Sequence, residues 1–294
     1  MMSSVTKKRL TFGDYIIYST IALISMICLV PFLYVVSVSL TDPEVYVPFQ
    51  FNLIPEKFSL SSYAYLLSTN SFLMALKNTV YITVVGTILN LVVTFTMAYG
   101  LTRKTLPGRK IIFYAVIFTL VFNPGIVPNF LLVQNLGLIN SHWSLILVSL
   151  TNAWSLIVVK SFMDSLPPEL EEAARIDGCN DIGVFFRIII PLSMPAIATF
   201  TLFFAVAHWN TYFNALIYLT DSSKWTLQML IKTLVIDSGS DAVGQAGATP
   251  EQATLPQETI RMASIVLSML PILVVYPFLQ KYFAKGVMLG SVKE

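Results

Sequence analysis

The stretch Leu166–Pro195, LPPELEEAARIDGCNDIGVFFRIIIPLSMP, decides how this chain is organised, because it is a long polar interior segment in an otherwise apolar sequence. Pro167–Pro168 fits the start of a helix, where a missing backbone N–H loses no hydrogen bond. Gly178 fits the residue that follows the end of a helix. The pattern therefore predicts a water-facing helix over about 168–177.

A second helix is predicted to follow the first. Asn180–Asp181 can cap its N-terminus, and Pro191 and Pro195 end it before the next apolar run. Glu171 and Arg175 lie four residues apart on the first helix, so we expect their side chains to pair with each other. The whole stretch is thus predicted to form a helix, a turn and a helix.

The residues alone leave open what this stretch contacts. Glu172 has no predicted partner on its own helix, and the small side chains of Ala173–Ala174 would let another protein approach closely. Phe185 and Phe186 offer apolar anchors. Docking of another protein, and a loop that folds back on its own helices, are both consistent with this pattern.

The rest of the chain has the composition of an integral membrane protein. Of its 294 residues, 55% are hydrophobic and 12% are charged, and the mean hydropathy is +0.73. An ordinary soluble domain has about 25% charged residues. The net charge is only +2 and the basic residues are scattered, which argues against a nucleic-acid surface. We therefore expect this chain to contact membrane lipid and not to bind nucleic acid.

Long runs without a charged residue predict six membrane spans in an all-α fold, because about 20 apolar residues cross a bilayer. The first run exceeds the apolar core of a signal peptide, so we interpret it as a span. The prediction comprises a cytoplasmic tail at 1–14 and one transmembrane domain at 15–294, with spans at about 15–40, 78–101, 111–133, 143–162, 196–220 and 262–280, outer loops at 41–77 and 221–259, and a cytoplasmic loop at 164–195.

The positive charges predict the orientation of these spans. With a cytoplasmic N-terminus, the tail, the turn at 103–110, the region 160–187 and the C-terminus hold thirteen of the 18 Lys and Arg residues. An excess of Lys and Arg marks cytoplasmic segments. Asp and Glu divide equally between the two sides, so the basic residues alone carry the bias. Both termini and the polar stretch are therefore predicted to be cytoplasmic.

Neutral polar residues in the fifth span are candidates for a translocation path. Asn210, Asn214 and Tyr218 recur every four residues, which places them on one face of a continuous helix. His208 and Tyr212 fall on a neighbouring face. Amides and aromatic rings suit a sugar, but the same side chains could instead form hydrogen bonds that link helices. Both interpretations stay open.

Two polar positions at membrane depth have competing interpretations. Asn123–Pro124–Gly125 interrupts span three, and a break there is tolerated only against protein or a water-filled cavity. Asn123 could therefore line the path or mark a packing kink. We interpret His208 as a packing residue rather than a proton relay. The absence of charged residues from the middle of the spans argues against coupling to protons or ions.

The polar stretch resembles the EAA signature of ABC importer permeases in the order and spacing of its residues. The matching positions are Glu172, Ala173, Ala174, Asp177, Gly178, Phe185, Ile188, Pro191 and Pro195. The segments Trp209–Phe213 and Tyr276–Lys293 resemble the carbohydrate branch of type I importer permeases. Within that branch, they are most similar to the second permease subunit of maltose-type and complex-polysaccharide-type systems. The resemblance covers about Tyr15–Lys293.

The resemblance implies that the stretch docks on an ATPase, where Glu172 would meet a basic residue. The positions implied for this coupling are Glu172, Ala173, Ala174, Asp177, Gly178, Phe185 and Pro191. It also implies six spans in the bacterial cytoplasmic membrane. The implied partners are a second homologous permease, two ATPase subunits and an extracytoplasmic solute-binding protein.

The same resemblance implies import of an oligosaccharide by alternating access, and a uronate-containing oligosaccharide is one candidate substrate. The sequence contains no G-x-x-x-x-G-K-[ST] motif, so ATP and Mg²⁺ would be held by the partner ATPase and this chain would have no cofactor or metal of its own. A stand-alone secondary transporter is the alternative. An intramembrane enzyme is disfavoured, because neither H-E-x-x-H nor G-x-S-x-G occurs.

Overall fold

The computed structural model describes residues 12–48, 50–236 and 257–286, and every regular element within these ranges is a helix. The α-helices are, in chain order, α1 (Phe12–Ser39), α2 (Ser61–Ser68), α3 (Asn70–Thr102), α4 (Arg109–Val121), α5 (Ile126–Asn135), α6 (His142–Val148), α7 (Ala153–Asp164), α8 (Pro168–Ile176), α9 (Asp181–Val184), α10 (Ile190–Leu192), α11 (Met194–Trp209), α12 (Phe213–Tyr218), α13 (Leu227–Ile236) and α14 (Gln257–Gly286).

The chain falls into two compact units. Among the described residues, one unit comprises 12–48, 50–68 and 257–267, and the other comprises 69–236 and 268–286. Parts of the predicted tail and of the second outer loop, and the end of the C-terminal segment, lie outside the described residues.

The first unit contains α1, whose side chains are mostly apolar and exposed, as expected for a helix surrounded by lipid. The loop 40–60 that follows is closed by an ion pair between Lys57 and Asp42, with Nζ 2.6 Å from Oδ2. The hydrogen bond from Lys57 lowers the pKa of the Asp42 carboxyl. A short helix, α2, follows this loop.

The second unit is built around α3, which packs most extensively against α11 and α7. This helix contains the predicted second span, 78–101, and begins eight residues before it, at Asn70. Lys77 marked the polar limit of the span, and a helix can continue past that limit into water. The sequence pattern therefore located the apolar segment better than the end of the helix.

The third and fourth predicted spans are each divided into two helices. The break at 122–125 separates α4 from α5, where the Asn-Pro-Gly sequence had indicated an interruption. The break between α6 and α7 was not predicted, and the two helices meet at an angle of 51°. Asn152 stabilises the start of α7 after this break, because its side-chain oxygen accepts the backbone N–H of Ser155 at 2.8 Å and caps the helix.

The prediction of a continuous helix across 196–220 is wrong. The helix α11 ends at Trp209, Asn210 adopts the capping position, and α12 begins at Phe213. The prediction of a polar loop over 221–259 is also wrong in part. The helix α13 lies within it and buries Leu227, together with other apolar residues, in the second unit.

Three described helices, α1, α3 and the part of α14 at Gln257–Pro277, are long and apolar enough to cross a membrane. The number rises to five if each of two bent pairs is one span. One pair is α6 with α7, and the other joins Asp181–Leu192 to α11 at an angle of 78°. The predicted third span, 111–133, is not among these candidates, because it is interrupted between α4 and α5.

Candidate functional site

The helix predicted over 168–177 is present as α8. Pro168 occupies its first turn, and Gly178, with φ of 84°, follows its end. The N–H of Gly178 donates to the carbonyl of Arg175 at 3.0 Å, and that of Cys179 donates to the carbonyl of Ala174 at 2.9 Å. This pair of bonds is the Schellman arrangement, in which glycine is favoured because φ is positive.

The second predicted helix is also present. The Asn180 side chain accepts a backbone N–H at 2.8 Å and caps α9, which continues through a π-helical turn, Phe185–Ile189, into α10. Pro191 lies in α10 and Pro195 in the first turn of α11. The chain bends at Ser193 between them. The segment from α8 to α10, hereafter the docking hairpin after the role that the sequence resemblance implies for it, therefore has the predicted helix, turn and helix.

The predicted pair of Glu171 with Arg175 is wrong. Glu171 instead accepts hydrogen bonds from both terminal nitrogens of Arg103, one of them at 2.7 Å between Nη2 and Oε1. Arg103 follows the end of α3, and its planar fork fits a carboxylate with two parallel bonds. These bonds raise the pKa of Arg103. Arg175 bonds to Asp181, with 2.7 Å between Nη2 and Oδ1.

Aromatic contacts strengthen this attachment of the docking hairpin to α3. The Arg103 guanidinium lies 4.2 Å from the centre of the Tyr99 ring. The hydroxyl of Tyr99 donates to the backbone carbonyl of Asp181 at 3.1 Å, and its ring centre is 4.8 Å from that of Phe185. One side of the hairpin is therefore fixed to the last turn of α3.

The structure divides the predicted coupling residues between two environments. Glu172, Ala173, Asp177, Gly178 and Pro191 are exposed, whereas Ala174 and Phe185 are buried. The predictions that Phe185 is an anchor for a partner and that Ala174 keeps the outer side of the helix thin are therefore wrong. Both side chains pack into the core that α3, α7 and α11 form.

The exposed residues of the docking hairpin include acids, among them Glu172, and several apolar side chains. Glu172 is exposed and forms no ion pair with any residue that the structure describes. Ile176 is 87% exposed, Ile182 68% and Phe186 63%. Ile176 and Ile182 were not among the contact residues predicted from the sequence. Only the buried positions of Ala174 and Phe185 show which side of each helix faces outward. An acid among apolar side chains suits contact with another protein.

Three of the six predicted path residues line one cavity in the second unit. Asn123, Asn214 and Tyr218 border a space of about 170 Å³, together with Asn129 of α5. The Asn123 side chain accepts the N–H of Gly125 at 3.0 Å within the break between α4 and α5. The break therefore brings two segments of polar side chains to the same cavity.

The other three predicted path residues do not line this cavity. Asn210 is exposed beyond α11, and its side chain donates to the carbonyl of Val206 at 3.0 Å. Tyr212 lies in the break before α12. Because the helix is not continuous, the premise that Asn210, Asn214 and Tyr218 share one helical face is wrong.

His208 is buried, with 2% of its surface exposed. Its Nε2 lies 3.4 Å from Oδ1 of Asn90, and its ring sits directly over Gly86 of α3. A Cβ at position 86 would come within 2.5 Å of the imidazole. This close fit agrees with the interpretation of His208 as a packing residue.

Known proteins resemble this chain over nearly its whole length. It is 46% identical over 280 residues to the polygalacturonan/rhamnogalacturonan transport system permease protein YtcP of Bacillus subtilis (strain 168), covering 95% of this chain and 98% of that protein. It is also 46% identical over 270 residues to Protein LplC of the same organism, covering 92% and 91% respectively.

A solved structure shares the fold. A chain of a bacterial ABC transporter involved in the import of the acidic polysaccharide alginate matches with a TM-score of 0.84 and 30% identity, covering 94% of this chain and 99% of that chain. Residues 91–289 match the family described as the binding-protein-dependent transport system inner membrane component. The chain thus belongs to this family of ABC transporter permeases and is a multi-pass membrane transport subunit rather than a catalytic one.

Proposed function

We propose that this chain is a permease subunit of an ATP-driven importer of oligosaccharides derived from acidic polysaccharides. Two similar proteins support this substrate class. One carries the name of a polygalacturonan/rhamnogalacturonan transport system, and the other belongs to a transporter of the acidic polysaccharide alginate. Galacturonan and alginate share sugar rings that bear carboxylates.

The proposed topology has one permease domain at 15–294 with six spans and cytoplasmic termini in the bacterial cytoplasmic membrane. It requires α4 and α5 to complete the third span despite their break. A second homologous permease, two ATPase subunits and an extracytoplasmic solute-binding protein complete the importer. The family description, which specifies dependence on a binding protein, supports the last of these partners.

The observation that carries the proposal is the two-sided docking hairpin. Ala174 and Phe185 fix its inner side in the core, while Glu172, Ile176 and Ile182 stay exposed on the other side. A rigid element with an exposed acid and apolar side chains can receive a groove of another protein. The ATPase would supply that groove, with a basic residue opposite Glu172.

The same hairpin would transmit the motion. When ATP draws the two ATPase subunits together, the hairpin moves as one body, because α8 and α9 are joined to α3 through Arg103 and Tyr99. The paired permeases would then change from inward-facing to outward-facing. The cavity bordered by Asn123, Asn214 and Tyr218 would form part of the path.

The docking proposal is tested by reversing the charge at position 172. Glu172→Lys should reduce co-purification of the ATPase and substrate-stimulated ATP hydrolysis by at least about tenfold, because two like charges would oppose each other in a desolvated contact. Glu44→Lys makes the same change in charge on the loop 40–60, where the side chain is exposed, and should leave both measurements unchanged. Wild-type co-purification and hydrolysis in Glu172→Lys would contradict docking through this residue.

A stand-alone secondary transporter is distinguished by reconstitution of the chain alone. Proteoliposomes that contain only this subunit should show no oligosaccharide uptake under a proton or sodium gradient. Uptake should require the second permease, the ATPase and ATP. Gradient-driven uptake by the lone subunit would replace the importer proposal with the alternative.

A further inference from the structure

A second polar cavity lies near the start of α3, and its lining residues are different from those of the cavity of the proposed path. Its volume is about 510 Å³, which is within the range of sites for small molecules. Lys77 and Tyr81 of α3 line it, with His142 and Trp143 of α6 and with Lys224. In the proposed topology this is the extracytoplasmic end of the second unit.

The cavity holds two ammonium groups without a paired carboxylate. Neither Lys77 nor Lys224 has an Asp or Glu oxygen within 4.0 Å among the residues that the structure describes. Lys224 donates to the backbone carbonyl of Asn140 at 2.8 Å, and a carboxylate neighbour, Asp221, interacts with it without forming an ion pair. The carboxylate of Asp221 accepts a hydrogen bond from the Ser223 hydroxyl at 2.8 Å, and Ser223, with a smaller contribution from the charge of Lys224, lowers its pKa.

Positive charge is scarce on this side of the proposed topology, which makes the arrangement unusual. Only five Lys and Arg residues are assigned to the outer segments, and two of them line this one cavity. They lie far apart in the sequence, so the fold itself brings the two charges together. A carboxylate that enters this cavity would meet both ammonium groups.

Aromatic rings form another part of the cavity wall. The side chains of Tyr81 and Trp143 are 41% and 42% exposed, so each can offer ring surface to a ligand. The ring centres of Tyr81 and His142 lie 5.9 Å apart. Rings of this kind stack on the apolar faces of sugars, and a hydroxyl or ring N–H at their edge can bond to sugar oxygens.

Hydrogen bonds hold the walls of this cavity in place. The Asn78 side chain donates to the carbonyls of Ser223 and Trp225, at 2.8 and 3.1 Å. Nε2 of His142 lies 3.0 Å from the carbonyl of Lys224. The segments that start α3, start α6 and follow α12 are therefore joined before any ligand arrives, which lowers the entropic cost of binding.

We propose that this cavity binds a carboxylate-bearing sugar at the outer end of the permease, with Lys77 and Lys224 on the carboxylate and Tyr81 and Trp143 against the ring. The inference rests on the proposed function for its substrate class, but it assigns a separate site with its own specificity. Charge-assisted hydrogen bonds are about twice as strong as neutral ones, so the two lysines would select an acidic sugar over a neutral one.

The test compares an acid with its neutral ester. The purified full-length chain is placed in nanodiscs of zwitterionic phosphatidylcholine, and binding of trigalacturonate and of its methyl ester is measured by calorimetry. Wild-type protein should prefer the acid. Lys77→Gln and Lys224→Gln should each weaken binding of the acid about tenfold, the effect expected for loss of one charge-assisted hydrogen bond. Binding of the ester should change less than about twofold, which shows that the variants remain folded.

Lys232→Gln is the matched control, because Lys232 is exposed on α13 and does not line the cavity. It should retain the wild-type preference for the acid. Equal binding of acid by wild type and both cavity variants would overturn the proposal. So would a preference for the acid that appears only when anionic lipid or the solute-binding protein is added, since the lysines would then serve that other partner.

Transport distinguishes a failure of this inference from a failure of the proposed function. If the chain binds the acid through both lysines but the assembled importer carries no oligosaccharide, the proposed function fails and the cavity assignment stands. If the importer with both lysines replaced still prefers the acid as strongly as wild type does, the cavity assignment fails and the importer proposal stands.

Discussion

Arg103 attaches the docking hairpin to α3 through two bonds to Glu171, and both side chains are mostly buried, with 17% and 19% of their surfaces exposed. We expect Arg103→Met to lower the free energy of unfolding by about 2 kcal/mol, below the roughly 3–5 kcal/mol seen when one partner of a fully buried pair is removed. Unfolding of the purified chain by SDS in mixed micelles would measure the change.

Arg175→Met is the matched control for this prediction. Its ion pair with Asp181 is far more open to water, with 49% and 65% of the two side chains exposed. Removal of such a pair costs at most about 1 kcal/mol. Equal losses of stability in the two variants would show that the bonds of Arg103 to Glu171 do not hold the hairpin in place.

Gly86 permits the close approach of α11 to α3, because a Cβ there would lie 2.5 Å from the ring of His208. Gly86→Ala should force the buried imidazole to move and destabilise the fold by about 1–3 kcal/mol, the usual cost of overpacking. Gly100→Ala on the same helix meets no atom within 4 Å and should stabilise it by up to about 1 kcal/mol. The same SDS titration compares them, and a loss in both would contradict the role of His208.

Asn214 and Asn210 were equivalent candidates in the sequence, but the structure separates them. Asn214 borders the cavity shared with Asn123, whereas the Asn210 side chain bonds to a carbonyl of its own helix. Asn214→Leu should therefore lower the rate of oligosaccharide uptake several-fold without loss of assembly, and Asn210→Leu should leave uptake near wild type. Uptake by purified importer in proteoliposomes, with subunit content checked by gel, measures both. The reverse order of effects would place the path elsewhere.

At the scale of secondary structure elements, the turn between α8 and α9 determines the direction of the docking hairpin. Gly178 has φ of 84°, a conformation that costs an ordinary L-residue about 1–2 kcal/mol. Gly178→Ala should therefore speed hydrogen exchange of the peptide that contains residues 176–182. Gly178→Asn should have a smaller effect, since asparagine is the residue most often found there after glycine. Identical exchange in all three proteins would show that the turn carries no strain.

The hairpin could be predicted from sequence because each of its signals acts within about four residues. Pro168 begins α8, Gly178 ends it, and Asn180 caps α9. The partner of Glu171 could not be predicted in this way, because Arg103 lies 68 positions earlier in the chain. Arg175, four residues after Glu171, was also available as a local partner. Only the packing of α8 on α3 decides whether Glu171 bonds to Arg175 or to Arg103.

The element α13 was missed although most of its residues are apolar, because the Gly-, Ser- and Asp-containing sequence that follows it gave the whole segment 221–259 a loop-like composition. Its buried side becomes evident only against α3, where Oγ1 of Thr79 accepts the N–H of Leu227 at 2.7 Å. The breaks within the fourth and fifth spans were missed for a related reason. They contain neither proline nor glycine, and a single asparagine, Asn152 or Asn210, stands at each helix end.

At the scale of the whole molecule, composition was sufficient to predict the class. The charge-free runs indicated a membrane protein, and α1, α3 and α14 have the length and apolarity of spans. The path could be predicted only in part, because Asn123 and Asn214 meet through a break in one span and a shift of helix in another. The spacing of residues along one helix does not predict which side chains of different helices line the same cavity.

The helix α3 connects the two ends of the proposed mechanism as a single rod. Lys77 lines the outer cavity and Arg103 holds the docking hairpin, and at 1.5 Å per residue they are roughly 39 Å apart along the helix axis. If a sugar in the outer cavity changes the affinity of the hairpin for the ATPase by some factor, thermodynamic linkage requires the ATPase to change the affinity of the cavity for sugar by the same factor. Through α3, sugar bound outside the cell would then change how tightly the ATPase binds inside. Binding of the ATPase would in turn change how tightly the outer cavity holds sugar.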